Sequence, residues 1–234
     1  MNAPASYPNP ALRRWRFAEG VPAPTLYYRA IRRLTQVTMC ALWEIRAFNR
    51  HFEPASGGAV YVCNHQSFLD PMLMGVALRR PMNYMARDTL FGVPGFGQLI
   101  ESDNAFPVRR GTADTAALKE AVRRIEAGGQ VAVFPEGTRT RDGRIGPFLP
   151  GVALLSRRAA QWTVPVLIDG AFEAWPRWQA IPRLGRIVVQ YGRPIPQSEA
   201  RSLKSDQFVQ RVRQELIEIQ AEVRRRDGRP PFTY

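Results

Sequence analysis

The sequence predicts an α/β fold: a single mixed, largely parallel central sheet flanked by helices, with an N-terminal amphipathic helical segment. Three observations carry that expectation. From residue 58 onward, short β-rich apolar runs alternate with helical stretches, the rhythm of a sheet covered on both faces. No linker divides 52–226, so this span reads as one domain. A chain of 234 residues with 45% hydrophobic and 23% charged content can bury a sizeable core, which excludes wholesale disorder or a collagen-like chain.

Residues 1–24 read as a flexible tail, whose start, Met1 to Asn9, is polar and proline-rich and lacks the apolar centre of a secretory signal. Residues 25–51 read as one helix, or two with a break. Leu26, Ile31, Leu34, Val37, Leu42, Ile45 and Phe48 supply its apolar side, and Arg29, Arg32, Arg33, Arg46 and Arg50 its charge. Such a segment either lies in a lipid interface, with arginines at the headgroups, or packs on the domain.

In the domain, Ala59 to Cys63 is a buried strand, 71–80 a helix, 82–86 a strand, 93–101 a short helix and 105–108 an extended run. Residues 112–127 form an amphipathic helix closed by Gly128-Gly129. A strand over 131–134, a helix over 152–161 and strands over 164–169 and 187–191 follow. Residues 206–226 form the last helix and 227–234 a C-terminal tail. No uncharged apolar run reaches ~18 residues, so a spanning helix is not expected.

The formal charge of +13 points to anionic partners: nucleic acid, anionic lipid or phosphorylated substrates. Only two of the basic residues are lysines, an arginine skew that GC-rich coding alone produces. Cys40 and Cys63 are too few for a disulfide framework, and with His51 and His65 they lack zinc-site spacing. No metal is expected, and a reducing compartment fits.

Two strands empty into polar turns, where α/β proteins place ligands. The first turn is Asn64-His65-Gln66-Ser67-Phe68-Leu69-Asp70-Pro71. In a continuous helix His65 and Asp70 would sit roughly 140° apart. They meet if His65 belongs to the turn, which Pro71 favours by disfavouring helical geometry at Asp70. A carboxylate on one imidazole nitrogen leaves the other as a general base. The same spacing also fits a Ser67–Asp70 helix cap beside a satisfied polar histidine.

The second turn is Pro135-Glu136-Gly137-Thr138-Arg139-Thr140. The backbone N–H groups of Gly137 and Thr138 suit an oxygen ligand, and Arg139 suits a phosphate; a surface turn with a solvated arginine fits as well. Phe106-Pro107-Val108-Arg109-Arg110-Gly111 adds two arginines, for phosphate or for solvent. There is no G-x-S-x-G, H-E-x-x-H or Walker loop.

Taken in order, these segments resemble the glycerophospholipid acyltransferase family, in particular its bacterial 1-acylglycerol-3-phosphate acyltransferase type. Asn64 to Asp70 matches the block N-H-x-S-x-x-D, Phe134 to Arg139 is identical to F-P-E-G-T-R, Phe106 to Arg110 resembles the block between them, and Val164-Pro165-Val166 fits the fourth. Ala86 to Gly97 is similar to the family's segment between its first two blocks, and the resemblance covers about 57–195.

The resemblance implies acyl transfer from an acyl-CoA or acyl-carrier-protein thioester to the hydroxyl of 1-acylglycerol-3-phosphate, without an acyl-enzyme and without a bound cofactor. It implies that His65 is the base and Asp70 its orienting partner. It further implies that Glu136, Gly137 and Thr138 shape the acceptor and oxyanion region and that Arg110 and Arg139 hold the phosphate. Peripheral attachment to the cytoplasmic side of an anionic membrane also follows from it. Phe148-Leu149-Pro150-Gly151 departs from the family's usual F-K-x-G, and Arg109 stands where an acidic residue is common. A lyso-ornithine lipid or another lysophospholipid therefore stays open as acceptor. A basic nucleic-acid-binding protein is the distant alternative; its recognition motifs are missing, so nucleic acid is not an expected partner.

Overall fold

Residues 26–109 and 114–234 are described in the computed structural model; the expected tail over 1–24 and Arg110 lie outside them. The chain enters through α1 (Leu26–Leu42) and β1 (Glu44–Phe48). It then alternates: β2 (Ala59–Cys63), α2 (Asp70–Val76), β3 (Met82–Arg87), α3 (Phe96–Ser102), β4 (Ala105–Val108), α4 (Thr115–Glu126), β5 (Gln130–Val133), α5 (Gly151–Arg158), β6 (Trp162–Asp169) and α6 (Ala171–Ala174). β7 (Arg186–Tyr191), β8 (Ile195–Pro196), α7 (Gln197–Ser202) and α8 (Ser205–Arg226) complete it.

The strands form one sheet in the order β1-β7-β6-β2-β5-β3-β4, with β8 paired to β6 beside that path. Strands β2 to β6 run parallel; β7 and β8 are antiparallel to β6, and β1 is parallel to β7. The sheet is thus mixed and largely parallel, as expected. The register sets Val62 opposite Val133 and Cys63 opposite Val166, so β2 and β5 end side by side on one rim while β6 runs on to Asp169.

Alternate residues of each strand feed two cores. Val60, Val62, Val131, Leu167 and Val188 pack with Ala121 and Ile125 of α4, Leu155 of α5, Ala200 of α7 and Phe208 and Leu216 of α8. Tyr61, Cys63, Ala132, Val166, Ile168 and Val189 pack with Met39 of α1, Leu73 and Met74 of α2 and Ala171 of α6. β2 is buried along its whole length, which explains its uninterrupted apolar run. Each large side chain so buried contributes ~1.5–3 kcal/mol.

The expectation of helix across 25–51 is corrected: α1 stops at Leu42 and Glu44–Phe48 is an edge strand on β7. Ile45 and Phe48 are three apart, which imitates a helical stripe. In the strand that odd spacing sends them to opposite faces, Ile45 to the α1/α2 core and Phe48 to the α4/α8 core. The elements α6, α7 and β8 were not anticipated; each is six residues or shorter, too short to show a period.

α1 docks on the domain through its polar side. Arg32 Nη1 donates to the Arg79 carbonyl at 3.0 Å and Gln36 Nε2 to the Val76 carbonyl at 2.7 Å, satisfying groups at and beyond the end of α2. Met39 and the following Trp43 continue that side into the core. The other side carries Leu26, Leu34 and Val37, which are 80%, 63% and 59% exposed. Among the described residues no helix is long and apolar enough to cross a membrane.

Candidate active site

The turn after β2 is fixed by its own side chains. Asn64 extends the sheet: its Oδ1 accepts from the Ile168 N–H and its Nδ2 donates to the Ile168 carbonyl, both at 2.8 Å. Gln66 Nε2 donates to the Gly143 carbonyl at 3.1 Å, and its Oε1 accepts from the Phe172 N–H at 3.2 Å. Ser67 Oγ donates to the Trp175 carbonyl at 2.8 Å. Pro71 occupies the first turn of α2, leaving Asp70 as the helix's first residue.

Within this frame His65 and Asp70 meet. His65 Nδ1 lies 2.7 Å from Asp70 Oδ2, with side chains 7% and 0% exposed. The same oxygen accepts the Gln66 N–H at 2.5 Å and the Ser67 N–H at 2.7 Å. Asp70 therefore binds the imidazole and closes the turn at once, while the alternative of a Ser67–Asp70 helix cap is not met: the N-cap of α2 is Leu69, without a side-chain cap bond. Its Oδ1 is buried without a hydrogen bond. The imidazole ring stacks on Phe134, the last residue before the second turn, with centroids 4.3 Å apart. With Nδ1 donating to the carboxylate, Nε2 carries the free lone pair.

Glu136 ties the second turn to the first. Its Oε1 accepts the His65 N–H at 2.8 Å and its Oε2 the Gly146 N–H at 3.0 Å. The Thr140 N–H donates back to the His65 carbonyl at 2.8 Å. Burial is the chief cause that raises the Glu136 carboxyl from 4.5 to about 7, against the pull of those two amides.

Gly137 has φ +68°, the left-handed region that glycine enters without strain. Its N–H donates to the Phe134 carbonyl at 3.1 Å, so the expectation that this N–H would meet a ligand oxygen is corrected: it closes the turn instead. Thr138 is exposed. The Arg139 guanidinium lies over the Phe68 ring, 3.5 Å from its centroid, so that arginine stands against the His65 turn. Arg110 lies outside the described residues. Arg109 is exposed, 3.7 Å from Asp114.

Three residues from the C-terminal part reach the same loops without a local signal to announce them. Arg213 Nε donates to the Gly146 carbonyl at 2.7 Å and its Nη2 to the Ile145 carbonyl at 2.8 Å. Tyr234 Oη accepts the Ile145 N–H at 3.0 Å and bonds Gln220, which donates to the Gly143 carbonyl at 3.1 Å. Among the described residues no cluster of His, Cys, Asp or Glu has the makings of a metal site.

A family model described as Acyltransferase matches residues 44–169. A chloroplastic 1-acyl-sn-glycerol-3-phosphate acyltransferase of Brassica napus is 31% identical over 144 residues, 60% of this chain and 42% of that protein. A 1-acyl-sn-glycerol-3-phosphate acyltransferase of Bacillus subtilis is 26% identical over 162 residues, 69% of this chain and 78% of that protein. The chain thus spans about two fifths of the plant relative and over three quarters of the bacterial one. The crystal structure of a 1-acyl-sn-glycerophosphate acyltransferase, PlsC, from Thermotoga maritima shares the fold, with a TM-score of 0.66 at 21% identity over 83% of this chain and 80% of that one.

Proposed function

From its membership of the acyltransferase family, we propose that the chain moves a fatty acyl group from an acyl-CoA or acyl-carrier-protein thioester to the free hydroxyl of 1-acylglycerol-3-phosphate, giving phosphatidic acid. The observation that carries this reading is the buried 2.7 Å contact between His65 and Asp70 on the sheet rim.

In the proposed reaction the acceptor hydroxyl gives its proton to His65 Nε2 as its oxygen attacks the thioester carbonyl. Asp70 holds the ring and stabilises the imidazolium. The tetrahedral intermediate expels the thiolate, which takes the proton back from His65. The Thr138 N–H stands for the developing oxyanion. Arg139, with Arg110, holds the acceptor phosphate and so fixes its hydroxyl in front of the imidazole. Glu136 and Gly137 act as positioning residues that keep the two turns in register. The thioester is a co-substrate and no resident cofactor takes part.

The exposed apolar side of α1 supports peripheral attachment to a membrane, and its arginines support an anionic one. We assign the cytoplasmic side, where a thioester donor is available.

One observation favours a second acceptor. Leu149 stands where the family often has lysine, and its Cδ1 would lie 3.1 Å from a Cβ on Gly137. An apolar group there suits a headgroup with less charge, as in a lyso-ornithine lipid or another lysophospholipid.

Purified protein incubated with acyl-CoA and a panel of lysolipids, read by mass spectrometry, tests both. The expected product is phosphatidate, and His65→Ala lowers its rate by about a hundred- to ten-thousand-fold. No product from any lysolipid overturns the reading; product from a neutral acceptor alone selects the second.

A further inference from the structure

The connection between α6 and β7 belongs to neither turn of the site. Residues 175–185 read Trp-Pro-Arg-Trp-Gln-Ala-Ile-Pro-Arg-Leu-Gly. Trp178, Ile181 and Leu184 are 62%, 77% and 76% exposed. Arg177 precedes Trp178 and Arg183 lies between Ile181 and Leu184; both are exposed too.

Six carbonyls of this segment are already bonded within the protein. The Trp175 carbonyl accepts from Ser67 Oγ at 2.8 Å, that of Pro176 from the Gln179 N–H at 3.1 Å, and that of Gln179 from Trp175 Nε1 at 2.8 Å. The Ile181 carbonyl accepts from Gln179 Nε2, that of Arg183 from Trp43 Nε1 at 2.8 Å, and that of Gly185 from the Glu44 N–H at 3.1 Å. A carbonyl already bonded within the protein loses little on entering an apolar phase.

Two anchors place the loop. At one end Ser67 binds Trp175, whose ring lies 5.5 Å from that of Phe68 in the His65 turn. At the other, Trp43 and Glu44 join it to the end of α1. The loop therefore links the site to the helix whose apolar side is exposed.

The local charge is positive. Glu44 pairs with Arg46 at 2.5 Å and with Arg186 at 3.1 Å, and Glu173 pairs with Arg224 and Arg229. Arg177 and Arg183 add to the balance.

We propose that residues 175–185 insert into an anionic bilayer surface, with Trp178, Ile181 and Leu184 below the headgroups and Arg177 and Arg183 on lipid phosphates. The choice of a bilayer as occupant rests on the lipid-acceptor reading. Tryptophan and aliphatic tips between arginines suit the layered chemistry of that interface.

The test uses the full chain and vesicles of phosphatidylcholine with phosphatidylglycerol, some carrying brominated acyl chains that quench tryptophan emission. Wild-type emission is quenched, and Trp178→Phe removes about half or more of that quenching, as expected for the ring nearest the chains. Ile181→Ser/Leu184→Ser lowers vesicle co-sedimentation about tenfold or more. Circular dichroism and the unfolding temperature show that the variants are folded. Unchanged quenching and unchanged co-sedimentation in folded variants overturn the proposal. So does loss of self-association by the double variant in sedimentation equilibrium without vesicles, which assigns the tips to a second copy. Turnover of a short-chain, water-soluble lysophosphatidate by the wild type is read separately. Turnover without Trp178 quenching sinks the loop alone, whereas quenching without turnover of any lysolipid sinks the acyltransferase reading and leaves the loop.

Discussion

Asp70 Oδ2 takes three donors while Oδ1 takes none, and this asymmetry makes a clean experiment. An asparagine at 70 keeps its oxygen on the Gln66 and Ser67 amides and turns its NH₂ toward the empty side. The imidazole stays oriented but loses the neighbouring negative charge. Asp70→Asn is therefore expected to lower kcat by about a hundredfold or more with KM little changed, since the charge acts on the imidazolium. Steady-state kinetics check it, with circular dichroism as the folding control. Glu136 is legible through pH. Its carboxyl is raised from 4.5 to about 7 by burial, so between those values the folded chain holds a proton that the unfolded chain releases. This group's contribution to stability is largest below pH 4.5 and falls as pH rises to about 7. Glu136→Gln is expected to flatten that decline relative to the wild type, measured by denaturant unfolding across the interval. His65 and Asp70 were visible in the sequence because their contact is local; the reason expected for it is corrected, since Asp70 is the first residue of α2 and Pro71 does not keep it out of the helix. Arg213, Gln220 and Tyr234 were not, because their bonds to residues 143–146 span 67 to 89 positions.

Elements were legible in proportion to how long a period they could show. α4 and α8 announce themselves through amphipathic repeats, and β2 and β6 through apolar runs buried on both faces. β1 was taken for helix because its identity comes from β7, over a hundred residues away, rather than from its own five residues. The junction of β6 and α6 shows the converse, a position whose backbone dictates its residue. Gly170 has φ +94°, and a Cβ there would stand 2.3 Å from the Arg186 carbonyl. Gly170→Ala is expected to cost about 2 kcal/mol or more, from backbone strain plus a clash with β7. Equilibrium unfolding measures it, and a loss under 0.5 kcal/mol (roughly the surface average) contradicts this account of the junction.

At the scale of the whole molecule, the proposed membrane attachment has the +13 charge and the outward apolar side of α1 act together. Attraction between the arginines and anionic headgroups is screened over ~8 Å at physiological salt, whereas apolar insertion is not. Vesicle binding is therefore expected to need anionic lipid at low salt and to fall as ionic strength rises, while a remnant due to insertion persists. Co-sedimentation over a salt series checks this; binding indifferent to both salt and lipid charge contradicts it. The sequence carried the charge and the apolar residues of α1 but not their arrangement. The sequence left Arg32 to lipid headgroups or to packing on the domain; in the structure it and Gln36 bond carbonyls at and beyond the end of α2, which leaves the leucines outward.

The edge position of β1 bears on how the chain is made. Its sole neighbour in the sheet among the described residues, β7, begins 142 residues further on. A ribosome adding ~5–20 residues per second leaves that gap open for roughly 7–30 s. Throughout that interval the nascent α1–β1 unit bears an unsatisfied strand edge beside greasy side chains. Only when translation delivers β7 does that edge gain the partner it has in the folded sheet.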